Sequence, residues 1–93
     1  MSIYAVEEKD PDATLAFVID WSDRLLPGDS LATSVWTVPA GLVQAFTSTF
    51  GTDYATVWLS GGTVGQKYEC RNRITTTYGE QDDRTLLIEI MEH

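Results

Sequence analysis

Few side chains in this 93-residue sequence have the types and spacing that catalysis requires. The single histidine, His93, stands at the end of the sequence, where a side chain rarely holds a fixed position for acid–base chemistry. The single cysteine, Cys70, excludes an intrachain disulfide and lies on a predicted strand, where we expect it to pack as a small apolar residue. We therefore predict that the protein is not an enzyme.

Acidic side chains are numerous, and most fall in predicted loops. The pair in Asp10-Pro11-Asp12 could contribute oxygens to a Ca²⁺ site, because that ion binds several oxygen ligands from loops. The spacing lacks the glycine and the final glutamate of an EF-hand loop, so the sequence favours a solvated acidic rim and predicts no metal and no cofactor. The acidic loop residues are Glu7, Glu8, Asp10, Asp12, Asp53, Glu80, Asp82 and Asp83.

The charge balance argues against two classes of partner. Fourteen acidic and six basic residues give a net charge of −8, which repels nucleic-acid phosphates and anionic lipid. The segment that starts at Met1 lacks the basic and apolar regions of a signal peptide, and no run of about 18 apolar residues occurs. We expect no nucleic-acid or membrane partner, and synthesis and assembly in a cytoplasm.

The residues from Ala55 to Thr77 carry the clearest structural pattern. Two runs rich in β-branched and aromatic residues flank the loop GGTVG at Gly61 to Gly65, which predicts a β-hairpin. This loop has no Lys-Ser/Thr end, so it is not a phosphate-binding loop. The second run alternates between an inward face that includes Cys70 and an outward face that includes Arg71 and Arg73.

Similar runs recur at intervals of roughly 8–12 residues with turn residues between them, which is typical of a β-sandwich. Residues 42–50 are read as a short irregular strand, with a helical turn around Val43 as the alternative. We predict one all-β domain over residues 1–93, an immunoglobulin-like antiparallel β-sandwich of about seven strands, with residues 1–12 as a possible extended N-terminal arm. The other predicted strands are 13–25, 30–38, 54–60, 66–77 and 84–92.

Three residues fit an immunoglobulin-like sandwich in particular. Tyr68 lies two residues before Cys70, where such domains place a corner tyrosine whose hydroxyl bonds back to the backbone. Trp36 is then the candidate core tryptophan of strand C. Because the second cysteine of the usual bridge is missing, any similarity is architectural.

Candidate partner-binding residues follow from the predicted outward positions. Trp58 and Tyr54 face away from the core if Val57 and Leu59 face inward, and the alternative is that Trp58 itself points inward or lies under a loop. Leu87 and Met91 would extend an outward patch. The basic stripe of Lys67, Arg71 and Arg73 either forms weak surface ion pairs or binds an acidic partner or a second copy. Ile3 and Tyr4 lie in an apolar segment, residues 2–6, that could be an edge strand or an arm that pairs with a neighbour.

Four segments carry a resemblance to a known family. Together they resemble small tailed-bacteriophage proteins known as fibre–tail adaptors, over Asp10 to Ile90. The resemblance implies a virion structural protein of the tail that is present in several copies and joins the tail tube or tail adaptor to tail fibres. The alternatives are a capsid decoration protein and a carbohydrate- or cell-surface-binding module that uses Trp58 and Tyr54 for stacking. The segments are Trp21 to Asp29, Ser34 to Val38, Val57 to Gly62 and Asn72 to Thr76.

The functional hypothesis from the sequence therefore rests on one outward side of the predicted hairpin. Trp58, Arg71 and Arg73 are expected to lie together there and to form the most favourable surface for a neighbouring virion protein.

Overall fold

The computed structural model describes residues 3–92. Met1, Ser2 and His93 lie outside the described residues, and so does the part of the predicted arm that Ser2 would form. Within this range the chain forms eight β-strands and no helix, and it therefore contains no helix long and apolar enough to cross a membrane. The strands are β1 (Ile3–Lys9), β2 (Leu15–Asp20), β3 (Leu31–Thr37), β4 (Leu42–Gln44), β5 (Thr49–Phe50), β6 (Tyr54–Gly61), β7 (Lys67–Thr76) and β8 (Gln81–Ile90).

The strands form two sheets that pack face to face. The first sheet has the order β1-β8-β7-β3, and the second has the order β2-β6-β4, with β5 also paired to β6. In immunoglobulin terms, β3, β7 and β8 occupy the positions of strands C, F and G, and β2 and β6 those of B and E. This arrangement confirms the predicted all-β sandwich. One pairing differs from the antiparallel prediction, because β1 runs parallel to β8.

The predicted hairpin is wrong. β6 belongs to the second sheet and β7 to the first, so the glycine-containing connection crosses from one sheet to the other. Its glycines adopt positive φ angles, 80° at Gly61, 101° at Gly62 and 87° at Gly65, which suit a sharp change of direction as well as they suit a hairpin. Gly62 also has to be small, because a Cβ there would lie 2.6 Å from the Ile90 side chain. Turn chemistry alone does not specify which strands pair.

The corner tyrosine lies immediately after this crossing. The Thr63 backbone N–H donates a hydrogen bond to the Tyr68 hydroxyl, 3.1 Å away and five residues upstream. The Tyr68 ring also packs beside Gly41, where a Cβ would come within 2.6 Å of it. These contacts confirm the predicted role of Tyr68 at the corner between strands E and F.

One apolar core lies between the sheets and receives side chains from both. Trp36 on β3 is buried in it, as predicted, and so is Trp21, directly after β2. Burial raises the pKa of the Cys70 thiol to about 11, so Cys70 packs as an inert side chain. The core residues are Phe17, Ile19, Trp21, Leu31, Trp36, Leu42, Ala55, Val57, Leu59, Cys70, Ile74, Leu86, Ile88 and Ile90.

A buried amide connects the two sheets inside this core. Asn72 on β7 is fully buried, and its Oδ1 accepts a hydrogen bond of 3.0 Å from Trp21 Nε1. Its Nδ2 donates to Ser34 Oγ at 2.8 Å and to the Val35 carbonyl at 3.3 Å, both on β3. Since a buried polar group costs free energy unless it is paired, these bonds fix the position of Asn72 in an otherwise apolar layer.

The N-terminal segment departs from the sequence prediction. Residues 7–9, read as part of an acidic loop, continue β1 beside β8, so the described part of the predicted arm is an edge strand of the chain's own first sheet. Lys9 is fully buried, and its Nζ donates to the Gly61 carbonyl at 2.7 Å and to the Asp10 carbonyl at 2.8 Å. Desolvation lowers the pKa of Lys9, and its hydrogen bond to Gly61 ties the end of β1 to the end of β6.

Two other boundaries need correction. Residues 42–50 form the two short strands β4 and β5 rather than one strand, and the alternative helical turn around Val43 is not present. β8 begins at Gln81, three residues before the predicted start at Arg84, because Gln81 to Asp83 pair with the end of β7. Gln81 and Asp83 lie on the outer side of the sheet, and Asp82, on the opposite side, binds Arg24, so their polar character does not indicate a loop.

Candidate functional site

The outer face of the second sheet presents apolar side chains to solvent. Trp58 and Tyr54 point outward because they alternate along β6 with Ala55, Val57 and Leu59, which are fully buried. The predicted outward orientation of Trp58 is therefore confirmed and the inward alternative is wrong, although a loop residue, Phe46, does pack against its ring. We call this surface the apolar face, and it comprises Ala16, Val18, Val43, Phe46, Tyr54 and Trp58.

Trp58 is held in place by the loop that follows β4. The Phe46 and Trp58 rings meet edge to face, with centroids 6.4 Å apart and planes at 81°. The Ala45 N–H donates a hydrogen bond of 2.9 Å to the Trp58 carbonyl, which holds this loop against β6. Trp58 is consequently half-buried, whereas Phe46 remains 62% exposed. The apolar face thus has a fixed aromatic pair at its centre.

The outer face of the first sheet has a different composition. Its charges pair across the strands, with Lys67 Nζ 3.5 Å from Glu89 Oε1 and Arg73 Nη2 3.2 Å from Asp83 Oδ2. Most of the predicted basic stripe thus forms surface ion pairs. Arg71 has neither an ion pair nor a hydrogen bond among residues 3–92. We call this surface the charged face. It comprises Glu8, Lys67, Glu69, Arg71, Arg73, Asp83 and Glu89, together with the apolar side chains Val6, Val35 and Leu87.

The two halves of the predicted binding surface do not meet. Trp58 and Tyr54 lie on the apolar face, and Arg71 and Arg73 lie on the charged face, so the core separates them. The expectation of one shared outward side is wrong because it depended on the hairpin. The sequence indicated that Leu87 would extend the Trp58 patch, and this is wrong because Leu87 pairs with Glu69 on the charged face.

Ile3 and Tyr4 lie on β1, at the edge of the first sheet. Ile3 pairs with Thr85 of β8. The Tyr4 hydroxyl accepts a hydrogen bond of 3.3 Å from the Asp20 N–H, and its ring centroid lies 5.2 Å from the Arg84 guanidinium carbon. Tyr4 therefore has contacts within the chain that connect β1 to the end of β2.

The acidic residues mostly bind basic side chains or backbone amides. Arg24 binds Glu80 and Asp82, at 3.1 and 2.8 Å. Arg84 donates to Asp23 from its two terminal nitrogens, from Nη1 to Oδ1 at 3.0 Å and from Nη2 to Oδ2 at 2.9 Å. The hydrogen bonds from Arg84 lower the pKa of Asp23. Among the described residues, no group of three or more histidine, cysteine or acidic side chains is arranged to hold a metal ion.

Four members of the apolar face, Ala16, Val18, Val43 and Phe46, were not among the candidate binding residues from the sequence. Period-2 alternation places Ala16 and Val18 opposite the residues of β2 that face the core, but it does not by itself select them as binding residues. Val43 follows a buried residue on β4, so the same alternation could have placed it outside. Phe46 lies in an irregular loop between β4 and β5, where no periodic signal exists. Its position depends on packing against Trp58, which is distant in sequence.

The comparison with known proteins identifies a family but no individual relative. No curated protein matches the chain. The family described as podophage GP4 fiber-tail adaptor protein gp77 matches residues 9–89, which is nearly the whole sequence. This match confirms the resemblance found in the sequence. The chain therefore belongs to the podophage GP4 fiber-tail adaptor protein gp77 family.

Proposed function

We propose that this chain is a non-enzymatic structural protein of a podophage virion, located in the tail, where it joins the tail to the tail fibres. The observation that carries this proposal is the family match over residues 9–89. The fold is compatible with it, because a rigid sandwich offers two separate outer faces and several strand edges to neighbouring proteins.

The apolar face is the proposed contact with a neighbouring virion protein. It places Trp58 and Phe46 side by side, surrounded by Val18, Val43 and Tyr54, all at least partly exposed. Clustered exposed apolar side chains on one face favour a protein interface, and aromatic residues dominate the binding energy of such interfaces. Because the Phe46–Trp58 pair is already ordered, its immobilisation costs little on binding.

Charge restricts the identity of this partner. The chain has a net charge of −8, and Asp20, at one end of β2, is the acidic residue on the outer side of that strand. Two copies of the chain would therefore repel one another at long range, whereas a partner with an apolar centre and a basic rim would be attracted. We assign the apolar face to such a protein of the tail or fibre.

Complementation of a phage whose gene for this chain carries an early stop codon tests the role. Plasmid copies would supply wild-type protein, Trp58→Ser, Val18→Asp or the control Val6→Asp. Val18 and Val6 match closely, because both lie on edge strands and they are 52% and 54% exposed. Electron microscopy would then count the tails that carry fibres.

Wild-type protein and Val6→Asp should restore fibres, and the two apolar-face variants should give at least about tenfold fewer fibre-bearing tails. Fibres on tails that lack the chain would overturn the adaptor role. Immunolabelling of the chain on capsids instead of tails would support the decoration alternative. Binding to a glycan array that Trp58→Ala abolishes would support the carbohydrate alternative.

A further inference from the structure

The four sheet edges of this sandwich differ in how they are protected. β1 carries Glu7, Glu8 and Lys9, and charged residues discourage pairing with another chain. β2 ends in Asp20, whose N–H is bonded to the Tyr4 hydroxyl. The opposite edge of the second sheet consists of β4 and β5, which have three and two residues. Short, charged or capped strands are poor templates for strand addition.

The remaining edge, β3, has none of these protections. Its seven residues, LATSVWT, contain no charge and no proline. The Leu31 N–H donates to the Thr52 carbonyl at 2.9 Å, so the start of the strand is covered by the chain itself. Beyond this residue β3 pairs with β7 on one side only. An edge strand of this kind presents a row of free backbone donors and acceptors.

The unpaired arginine lies beside this edge. All six basic residues of the chain are among the described residues, and Arg71 alone of them has no ion pair or hydrogen bond there. An unpaired cation is unexpected in a protein with fourteen acidic residues. The register partners of Arg71 are Thr85 on β8 and Thr37 on β3, so no acid lies in its row across the sheet.

The next outward arginine on β7, Arg73, does have an acidic residue opposite it on a neighbouring strand. Arg73 pairs with Asp83 on β8 and with Val35 on β3. Its Nη2 lies 3.2 Å from Asp83 Oδ2. A strand added outside β3 would lie about 10 Å from β7, a distance that an arginine and a glutamate side chain span together. An acidic residue on that strand, in the row of Thr37, would be a partner for Arg71.

We propose that the free edge of β3, together with Arg71, binds an extended segment of a partner protein by β-strand addition, and that this segment carries acidic residues on the side facing Arg71. Main-chain hydrogen bonds to β3 hold the added strand in place, and the contact between its acidic side chains and Arg71 makes the site prefer acidic segments over others. The inference rests on the proposed function only in treating the chain as a protein-binding module, because the β3 edge is separate from the apolar face.

Titration of the ¹⁵N-labelled chain with synthetic peptides, followed by NMR, tests this assignment. The probe is a capped eight-residue peptide that alternates glutamate with threonine. A second peptide has lysine in place of glutamate, and two further versions of the probe are N-methylated on one or the other set of alternate amides. The protein variants are Arg71→Gln and Lys67→Gln. Lys67 is the matched control because it lies on β7 and faces outward, but beyond the end of β3.

The glutamate peptide should shift the amide signals of residues 32–37 and Arg71. It should bind up to about fivefold more tightly than the lysine peptide at about 0.15 M salt, which screens the long-range repulsion from the net charge of −8 more than it screens a direct contact with Arg71. Arg71→Gln should abolish this preference and Lys67→Gln should leave it unchanged. One of the two N-methylated versions should lose binding, because only one set of alternate amides in an added strand faces β3. Equal binding of the two charged peptides, shifts confined to β1 or β2, or no shifts with any peptide would overturn the proposal.

Trp58→Ser separates this inference from the proposed function. If that variant loses tail attachment and still binds the glutamate peptide at β3, the two surfaces act independently, as proposed. If Trp58→Ser removes peptide binding, the segment binds the apolar face and the β3 assignment is wrong. Failure of the tail experiment with intact peptide binding at β3 would overturn the adaptor role alone.

Discussion

The two outer faces of the sandwich are built from strands with the same inward–outward alternation, yet they differ in what they expose. On the charged face, Lys67 pairs with Glu89 and Arg73 with Asp83, so most of its charges are satisfied within the chain. On the apolar face, Val18 and Val43 are more than half exposed around the aromatic pair of Phe46 and Trp58.

This difference indicates which face is complete in the isolated chain. Paired surface charges remain well solvated and contribute little to stability or to binding. Transfer of exposed apolar side chains out of water lowers the free energy, so a complex in which a partner covers the apolar face would be stabilised. The charged face also exposes Val6 and Val35, but these two valines lie on its opposite edge strands, β1 and β3, and form no cluster. Its other features for a partner are Arg71 and the β3 edge.

Removal of the amide that connects the two sheets should have the largest effect on stability. Asn72→Ala leaves the Trp21 indole N–H buried without an acceptor, and we expect a loss of about 3 kcal/mol in the free energy of unfolding. Urea unfolding followed by tryptophan fluorescence would measure it. Because both sheets share this contact, both faces should lose order in one transition.

Ser34→Ala provides the control for this prediction. It removes one of the two acceptors of Asn72 Nδ2 and leaves the bond to Trp21 in place, so the expected loss is about 1 kcal/mol. If Asn72→Ala were no more destabilising than Ser34→Ala, the bond between the sheets would contribute little, and apolar packing alone would hold the two faces together.

Truncation of the central aromatic residue should sharpen the contrast between the faces. Trp58→Ser removes the edge-to-face contact with Phe46 and should cost about 1 kcal/mol, and it should also shorten retention on a hydrophobic interaction column. Val6→Ser, at a similarly exposed valine on the first sheet, is the control and should change retention much less. Equal changes in retention would show that the apolar face has no special character.

The smallest effect on stability is expected from low pH, through the ion pair of Asp23 and Arg84 at one end of the sandwich. The pKa of Asp23 is lowered by its hydrogen bonds with Arg84, so the folded chain binds this proton more weakly than the unfolded chain, whose aspartates titrate near pH 3.9. The pair therefore stabilises the fold above about pH 4 and is lost as the pH falls further.

Urea unfolding at a series of pH values from 5 to about 2 would measure this dependence. Wild-type protein should lose stability with falling pH more steeply than Asp23→Asn, and the two curves should converge at the acid end. Parallel curves would mean that the Arg84 contact does not favour the ionised carboxylate. The apolar face offers no comparable pair, so retention of Trp58→Ser relative to wild type should not depend on pH in this range.

The sequence predicted orientation well and pairing less well. The alternation around Cys70 and around Trp58 placed both correctly, and Tyr68 was assigned to its corner from its spacing to Cys70. The sequence also predicted that the connection after Gly61 would be a hairpin, and this was wrong. Lys9 lies in the acidic segment that was read as a loop. Its burial, unusual for a lysine, depends on a hydrogen bond to the carbonyl of Gly61, which is 52 residues away.

By itself, the sequence determined an all-β chain, the inward and outward positions along each strand, and membership of the adaptor family over residues 9–89. These properties depend on the period of two in an extended backbone and on the similarity of many positions, both of which can be read along the chain. Only the tertiary structure decided that β6 and β7 belong to different sheets, and hence that Trp58 and Arg71 lie on opposite faces. Strand partners are chosen by packing and hydrogen bonding between segments that are far apart in sequence, and a local pattern of residues does not contain that information.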